Sequence, residues 1–344
     1  MTGVDPMAEA VDRLLGGFAG PDPAGAQEPS VLRAGEWDAV CDMGLPLALV
    51  SEEKGGVGLS WPEALPLLHA AGRHAAFLPL GETMLANWLL ERAGMAPEAG
   101  PLAVIQSGSW TLTRAGRGWR LAGEAPRVRW ARHATRLIVV VEDQLAILDP
   151  GDARITPGAN LAGEPRDHVA VDAALPSAAV APIEGERLGE ALLCLGAAIG
   201  TSAMAGALAR ILALSVAYAG DRVQFGRPLA GFQVIQHNIA RIAGEAAAAG
   251  AAAAIAASAP LDPLLVGAGK IRAGEAAGIA AALAHQVHGA IGFTREHDLQ
   301  RFTRRLWAWR DECGNEAFWS ARIGKALVPT GRDGLWPALT AGGR

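Results

Sequence analysis

The stretch DRVQFGRPLAGFQ, residues Asp221–Gln233, separates two long apolar segments of the chain. The residues before it are rich in Ala, Leu, Val and Ile, and the residues after it, HNIARIAGEAAAAGAAAAIAAS, are almost all helix formers. Within thirteen positions the stretch carries two arginines, two glutamines and two phenylalanines. The sequence therefore predicts a cationic, amide-bearing and aromatic turn between two apolar helices, and the function of the chain must account for that turn.

Length and charge limit the class of protein. The chain has 344 residues and a formal net charge of −5, which allows two or three domains and gives no reason to expect a nucleic acid partner. The three cysteines, Cys41, Cys194 and Cys313, are far apart and lack CxxC spacing, as is typical of a reducing cytosol. We therefore expect a cytoplasmic protein without a disulfide framework or a zinc site.

Targeting and membrane signals are weak. The first residues, MTGVDPMAEAVDRLL, carry early acidic residues and no basic segment, unlike a secretory signal. The long apolar runs are rich in Ala and Gly, poor in Leu and Phe, and interrupted by polar residues. We therefore expect no membrane span.

The pattern of residue types along the sequence predicts three domains. Residues 1–98 show apolar side chains at helical spacing, and residues 99–185 contain short β-rich runs separated by Gly, Asp and Arg. Residues 186–344 return to long helices rich in small residues, which allow close helix packing. The predicted fold is α+β and mostly α: a helical N-terminal domain, a small antiparallel β domain and a C-terminal four-helix bundle.

This layout and three motifs resemble the acyl-CoA dehydrogenase family. The stretch from Asp221 resembles the family signature in which an Arg precedes Gln, Phe and Gly and the sequence ends in FQ. QVHGAIGFTREHDLQRFTRR, from Gln286, resembles a second signature, with a Gly-rich turn and paired arginines. MGLPLALVSEEKGGVGLSWPEALPLLHAAGR, from Met43, resembles an N-terminal element of the family. The resemblance covers nearly the whole chain in the expected order.

The resemblance implies FAD as cofactor and assigns residues to it. In this family the turn docks against the FAD of a neighbouring subunit, where an arginine fork suits a pyrophosphate. Arg222 would bind the pyrophosphate, and Gly289 would allow close backbone approach. The remaining predicted contacts, to the adenosine, adenine and ribityl regions, are Gln224, Phe225, Gln233 and Gln286.

The family's reaction is α,β-dehydrogenation of an acyl-CoA thioester, in which a carboxylate removes the α-proton. In most members this Glu lies about two dozen residues after the Gly-rich turn and precedes a Gly, a position that falls here on Cys313 in RLWAWRDECGNEAFW. Glu312 lies one residue earlier and is the predicted base. Some members place the base before the first long bundle helix, and the matching place here is near Gly196, where no convincing substitute stands.

A second departure concerns the β domain. The family usually carries a T-E-P-x-x-G-S-D loop that wraps the flavin ring and the acyl-CoA, whereas this chain reads PLAVIQSGSWTLTRAGRGWRLAG. The loop is predicted to be shortened, and Trp130 to correspond to an aromatic residue of the next flavin-contacting strand. His285 and His288 lie three residues apart without an evident third ligand, so no metal site is predicted.

Two functions stay open at the level of sequence. The chain is either an FAD-dependent acyl-CoA dehydrogenase, with Glu312 as base, or a non-catalytic partner that completes the FAD site of a related catalytic chain. Both imply an acyl-CoA substrate and a homo- or hetero-oligomer with a related chain. Both also imply electron-transfer flavoprotein as electron acceptor.

Overall fold

The computed structural model describes residues 6–18, 31–183 and 188–340. The helices within these ranges are α1 (Pro6–Gly17), α2 (Ala34–Asp42), α3 (Trp61–Arg73), α4 (Leu80–Arg92), α5 (Leu188–Asp221), α6 (Gln233–Ser258), α7 (Pro263–His288), α8 (Leu299–Asp311), α9 (Glu316–Leu327) and α10 (Gly331–Thr340). The strands are β1 (Leu102–Ile105), β2 (Ser109–Ala115), β3 (Gly118–Arg129), β4 (Arg136–Val141), β5 (Gln144–Leu148), β6 (Ala153–Thr156), β7 (Arg166–Pro176), β8 (Val180–Pro182), β9 (Val223–Gln224) and β10 (Arg227–Pro228). The predicted fold class, mostly helical with a small β part, is confirmed.

The strands between α4 and α5 form two four-stranded sheets. One has the order β1-β4-β5-β8 and the other the order β2-β3-β7-β6. All neighbouring strands are antiparallel except β1 and β4, which pair in parallel with Leu102 opposite Arg136. The departure from a purely antiparallel arrangement arises because β2 and β3 intervene between β1 and β4, so these two strands are not joined by a tight hairpin turn.

The chain divides into two compact units. The first, called the helical unit, consists of Met1–Gly20, Trp61–Ala76 and Leu193–Arg344, and the second, called the sheet unit, consists of Pro21–Ser60 and Phe77–Leu192. This grouping differs from a division into three consecutive segments because α3 joins the C-terminal helices. The segment boundaries 98/99 and 185/186 stay predictions, and the second falls in residues 184–187, outside the described residues.

Small residues let the helices of the helical unit approach closely. A Cβ added at Gly72 of α3 would overlap the Ala203 carbonyl of α5, and a Cβ added at Gly206 would overlap the His69 carbonyl. The two helices therefore touch through reciprocal glycine contacts, which is the close packing expected from the Ala- and Gly-rich sequence. The surrounding core is built largely from buried Ala, Leu and Ile of α5, α6 and α7.

Two helices among the described residues are long and apolar enough to span a membrane by length and composition alone. They are α5 and α6, and their most apolar windows are 78% and 22% buried inside the structure, respectively. A buried core helix of a bundle passes the same test, which accounts for α5. In contrast, α6 leaves most of its surface uncovered in the single chain, including Val234 and Ile255.

The end of α6 and the start of α7 follow local sequence signals. Pro260 lies just past the end of α6, and Pro263 is the first residue of α7, where its missing N–H costs no helical hydrogen bond. Asp262 is the N-cap, and its carboxylate accepts hydrogen bonds from the backbone N–H groups of Leu264 and Leu265 at 2.8 and 3.3 Å. The two prolines therefore mark the break between α6 and α7.

Candidate functional site

The turn from Asp221 to Gln233 contains a small hairpin that connects α5 to α6. Strands β9 and β10 pair antiparallel, and the residues between them, Phe225 and Gly226, have φ angles of 52° and 80°. Two consecutive left-handed residues form the tight connection that suits a two-residue hairpin loop. Glycine adopts this conformation readily, whereas a phenylalanine adopts it at a cost. A strained residue at an exposed hairpin tip is a feature of functional sites.

The backbone of Arg222 is fixed while its side chain lies at the surface. Its N–H donates to the Tyr218 carbonyl at 2.9 Å, and its carbonyl accepts from the Leu229 N–H at 2.9 Å. Arg222 and Gln224 are exposed, and Phe225 is 91% exposed. The hairpin therefore presents a cation, an amide and an aromatic ring to solvent from a backbone held at both ends.

The second arginine of the turn has a different environment. The guanidinium of Arg227 lies over the Phe232 ring, 4.2 Å from its centroid, which is a favourable cation–π geometry. Phe225 meets the same ring edge-on, with the centroids 6.1 Å apart. Arg227 therefore braces the base of the turn, whereas Arg222 presents its guanidinium outward. Gln233, the first residue of α6, is also exposed.

The second predicted contact region lies where α7 ends. Gln286 is exposed on the last turn of this helix, and Gly289 follows it with a φ of 66°. A Cβ added at Gly289 would meet nothing within 4 Å, so the backbone here faces open space. An accessible glycine backbone of this kind allows a ligand or another chain to approach closely.

A stack of aromatic rings connects the two turns. Tyr218, one turn before the end of α5, stacks on His288 at the end of α7 with a centroid separation of 4.5 Å. His297 contacts both rings, at 5.8 and 4.6 Å. The two predicted flavin-contacting turns therefore lie at the same end of the helical unit. Sequence analysis missed this connection because a stack between α5 and α7 leaves no local pattern.

Two buried histidines lie beneath the second turn. His285 has its Nε2 3.1 Å from the Thr303 hydroxyl and its ring 3.9 Å from that of Phe293, centroid to centroid. His288 has its Nδ1 2.8 Å from the Ala284 carbonyl. Burial lowers the pKa of both imidazoles because it disfavours the charged ring. They are neutral core residues at neutral pH, and among the described residues no group of three or more His, Cys, Asp or Glu could hold a metal ion.

The loop between α8 and α9 contains the predicted base position. Glu312 is the C-cap that follows α8 and has an extended conformation, and Cys313 and Gly314 come next with φ angles of 53° and 90°. The Cys313 side chain packs against α5, because a Cβ added at Gly196 would lie 2.6 Å from its sulfur. The two sequence positions at which the family resemblance locates a base, Cys313 and Gly196, thus meet in space. One carries a thiol and the other carries no side chain.

The sheet unit has a short connection where the family loop is expected. The residues between β1 and β2 are Gln106–Gly108, and a Cβ added at Gly108 would overlap the Glu124 carbonyl of β3. Trp130 is 4% exposed and packs edge-on against Phe77, with centroids 4.6 Å apart. The connection is thus only three residues long, and the Trp130 indole is buried in the folded chain.

The comparisons with known proteins agree with this architecture. Residues 190–327 match the family model described as acyl-CoA dehydrogenase, C-terminal domain. The acyl-CoA dehydrogenase IpdE2 of Mycobacterium tuberculosis is 28% identical over 313 residues, which cover 87% of this chain and 89% of that protein. The ChsE4–ChsE5 complex from the same species has a chain with a TM-score of 0.80 at 21% identity, covering 96% of this chain and 99% of that one. The butyryl-CoA dehydrogenase of Megasphaera elsdenii has a TM-score of 0.84 at 18% identity, covering 95% and 100%.

The structure is that of a mainly helical protein with two four-stranded sheets. One end of its helical unit carries two exposed turns whose side chains suit an anionic, aromatic ligand. The structural matches, at about one fifth identity, establish the fold. Together with the family model over residues 190–327 and the related sequence, they confirm the predicted resemblance to the acyl-CoA dehydrogenase family.

Proposed function

We propose that this chain is a non-catalytic subunit of a heteromeric, FAD-dependent acyl-CoA dehydrogenase. In that assembly it contributes contacts to the adenine side of a flavin, while a related chain supplies the base and the surroundings of the flavin ring. The substrate is an acyl-CoA thioester, and electron-transfer flavoprotein is the proposed electron acceptor. The proposed location is the cytoplasm.

The observation that carries the proposal is the contact between Cys313 and Gly196. The family reaction needs a carboxylate that takes the α-proton of the thioester while the flavin, when bound, accepts the β-hydrogen as hydride. The family resemblance would place that carboxylate at Cys313 or at Gly196. These two residues contact each other, and neither is acidic. A thiol at one position and a hydrogen atom at the other do not supply the carboxylate that the family reaction uses as its base. The missing carboxylate favours a partner role.

The helical unit fits the adenine side of FAD. A pyrophosphate requires fixed positive charge, and Arg222 offers a guanidinium on an anchored backbone. The exposed Phe225 ring suits an adenosine face, and the exposed amides of Gln224, Gln233 and Gln286 suit hydrogen bonds to adenine and ribityl groups. The open backbone at the end of α7 suits close approach of the cofactor. These features are the ones that the chain would lend to a shared flavin.

The sheet unit does not fit the ring side of FAD in the same way. Its Gln106–Gly108 connection replaces the longer loop that wraps the flavin ring in the family, and Trp130 is buried. The ChsE4–ChsE5 complex, whose chain shares this fold, is by its description an assembly of two different chains. The exposed face of α6 gives this chain an apolar surface for such a partner.

The second candidate function is dehydrogenation by this chain itself, with Glu312 as base. It is favoured by the position of Glu312, which is half-buried and adjoins Cys313 in the same loop. A shift of one residue in the loop would move the carboxylate toward Gly196. In that case the isolated chain would hold its own flavin and reduce it with an acyl-CoA.

Flavin content distinguishes the two functions. The chain is purified alone and after co-expression with a candidate partner chain of the acyl-CoA dehydrogenase family, and FAD per protomer is measured from the absorbance spectrum. The partner role predicts little FAD in the chain alone and stoichiometric FAD in the complex. Full flavin occupancy in the chain alone, with no complex formed, would overturn the proposal.

A further inference from the structure

One face of α7 is shaped to receive the start of α9. Gly267, Lys270 and Gly274 are spaced three and four residues apart, which places them on one side of the helix. A Cβ added at Gly267 would lie 2.7 Å from the Trp319 ring, and one added at Gly274 would overlap the Glu316 carboxylate. The two glycines therefore make room for side chains of α9, and the lysine between them projects toward the loop that precedes α9.

Lys270 holds that loop by its backbone. Its ammonium donates to the carbonyls of Trp309, Arg310 and Gly314 at 3.1, 2.7 and 3.0 Å. An ammonium has three N–H donors, and here each has a carbonyl acceptor, which offsets the cost of burying the charge. Lys270 is 1% exposed, so the interaction takes place away from solvent. Two of the acceptors, the Trp309 and Arg310 carbonyls, lie in the last turn of α8, where the helix dipole favours a cation.

Contacts from α9 hold the rest of the loop. The Trp319 indole N–H donates to the Cys313 carbonyl at 2.9 Å, and the Asn315 side chain accepts from the Phe318 N–H at 3.0 Å. Gly314 combines a φ of 90° with a Phe318 ring where its Cβ would lie, so only glycine fits. The carbonyls of Cys313 and Gly314 are thus held by donors on α9 and α7, respectively.

We propose that Lys270 is a positioning residue that sets the register of the loop Asp311–Asn315, so that Cys313, rather than Glu312, faces Gly196. A slip by one residue would take the Arg310 and Gly314 carbonyls away from the ammonium. The Trp309 carbonyl also accepts a hydrogen bond from the Glu312 N–H at 3.2 Å, so it does not depend on the ammonium alone. The inference deepens the proposed function, because this register is the reason that no carboxylate stands beside Gly196. It concerns only the geometry of the loop and needs neither flavin nor a partner chain to be tested.

The thiol of Cys313 reports the register directly. Iodoacetamide alkylation of the folded full-length chain is followed by mass spectrometry at each cysteine, in the parent and in Lys270→Met, which keeps an unbranched side chain one atom shorter and removes the charge. Lys325→Met is the matched control, because Lys325 is an exposed lysine of α9. Cys41, in the sheet unit, and Cys194, buried in the helical unit, report the folding of their respective units in every sample.

Lys270→Met should raise the alkylation rate at Cys313 by about tenfold or more, which corresponds to a loosening of the loop by about 1.4 kcal/mol. The rate at Cys41 should stay within about twofold in both variants. The control Lys325→Met should leave the rate at Cys313 unchanged. Equal rates at Cys313 in the parent and in folded Lys270→Met would overturn the proposal.

A second variant covers the case in which Lys270→Met does not fold. Lys270→Gln keeps two N–H donors of shorter reach and should raise the Cys313 rate by a smaller factor than the loss of all three. Its alkylation is measured in the same way, with Cys41 as reference. A Cys313 rate equal to that of the parent would again contradict a positioning role. Because the readout is thiol reactivity, its failure would leave the partner-subunit proposal standing, and the reverse also holds.

Discussion

Replacement of Arg222 by alanine should weaken flavin binding by the assembled protein by roughly tenfold to a hundredfold. The structure anchors the Arg222 backbone at both its N–H and its carbonyl, so the substitution removes the guanidinium without releasing the turn. A hydrogen bond to a charged group contributes about 1.5–3 kcal/mol. At about 1.4 kcal/mol per decade, the loss of one such bond to the pyrophosphate gives the stated range.

The matched control is Arg227→Ala, in the same turn. This guanidinium lies over the Phe232 ring, and an exposed cation–π contact contributes about 0.5–1 kcal/mol. The control should therefore weaken flavin binding by less than about tenfold, through a looser turn. FAD affinity is measured by titrating the apo assembly and following the quenching of flavin fluorescence. If Arg222→Ala binds FAD as tightly as the parent while Arg227→Ala does not, the assignment of the pyrophosphate contact to Arg222 is wrong.

Three further predictions concern packing, pH and assembly. Gly206→Ala forces a methyl group into a helix contact and should lower the free energy of unfolding by about 1–3 kcal/mol. Gly244→Ala, where nothing lies within 4 Å of the added methyl group, should raise the free energy of unfolding by about 0.5–1 kcal/mol. Equal urea midpoints for the two variants would refute the packing argument. Burial lowers the pKa of His285 and His288 in the folded chain below the ordinary value of about 6.5. As the pH falls through about 6.5, these histidines bind protons in the unfolded chain before they do so in the folded chain, so the free energy of unfolding should decrease. Urea midpoints at about pH 7.5 and about pH 5.5 test this, with a smaller difference expected for His288→Gln. Light scattering at micromolar concentration should show a dimer or larger assembly, and a monomer that retains FAD would contradict the role of the turn.

Much of the architecture could be predicted because its signals are local. The prolines at 260 and 263 mark the break between α6 and α7, and the Arg222–Gln233 turn interrupts two apolar runs. The β-rich runs after residue 99 fall on strands β1 to β5. In contrast, the parallel pairing of β1 with β4 depends on contacts between distant segments, which no local pattern records.

The site was predictable only in part for the same reason. Arg222 and Gln286 stand in signatures that can be read along the sequence. The stack of Tyr218 on His288 joins residues seventy positions apart, and the three carbonyl contacts of Lys270 span about forty. Neither leaves a local pattern. The contact of Cys313 with Gly196 likewise required the folded chain, although each residue had been singled out separately.

The measurement that tests the central claim most directly is anaerobic bleaching of the flavin by a panel of acyl-CoA esters. It is run on the isolated chain, on its complex with the related chain, and on both carrying Glu312→Gln, which keeps the shape of the side chain but removes the proton acceptor. A non-catalytic partner predicts bleaching by the complex alone, at a rate that Glu312→Gln leaves within a few-fold of the parent. Bleaching by the isolated chain that falls by roughly 10²–10⁴-fold in Glu312→Gln, as expected for loss of a general base, would contradict the account.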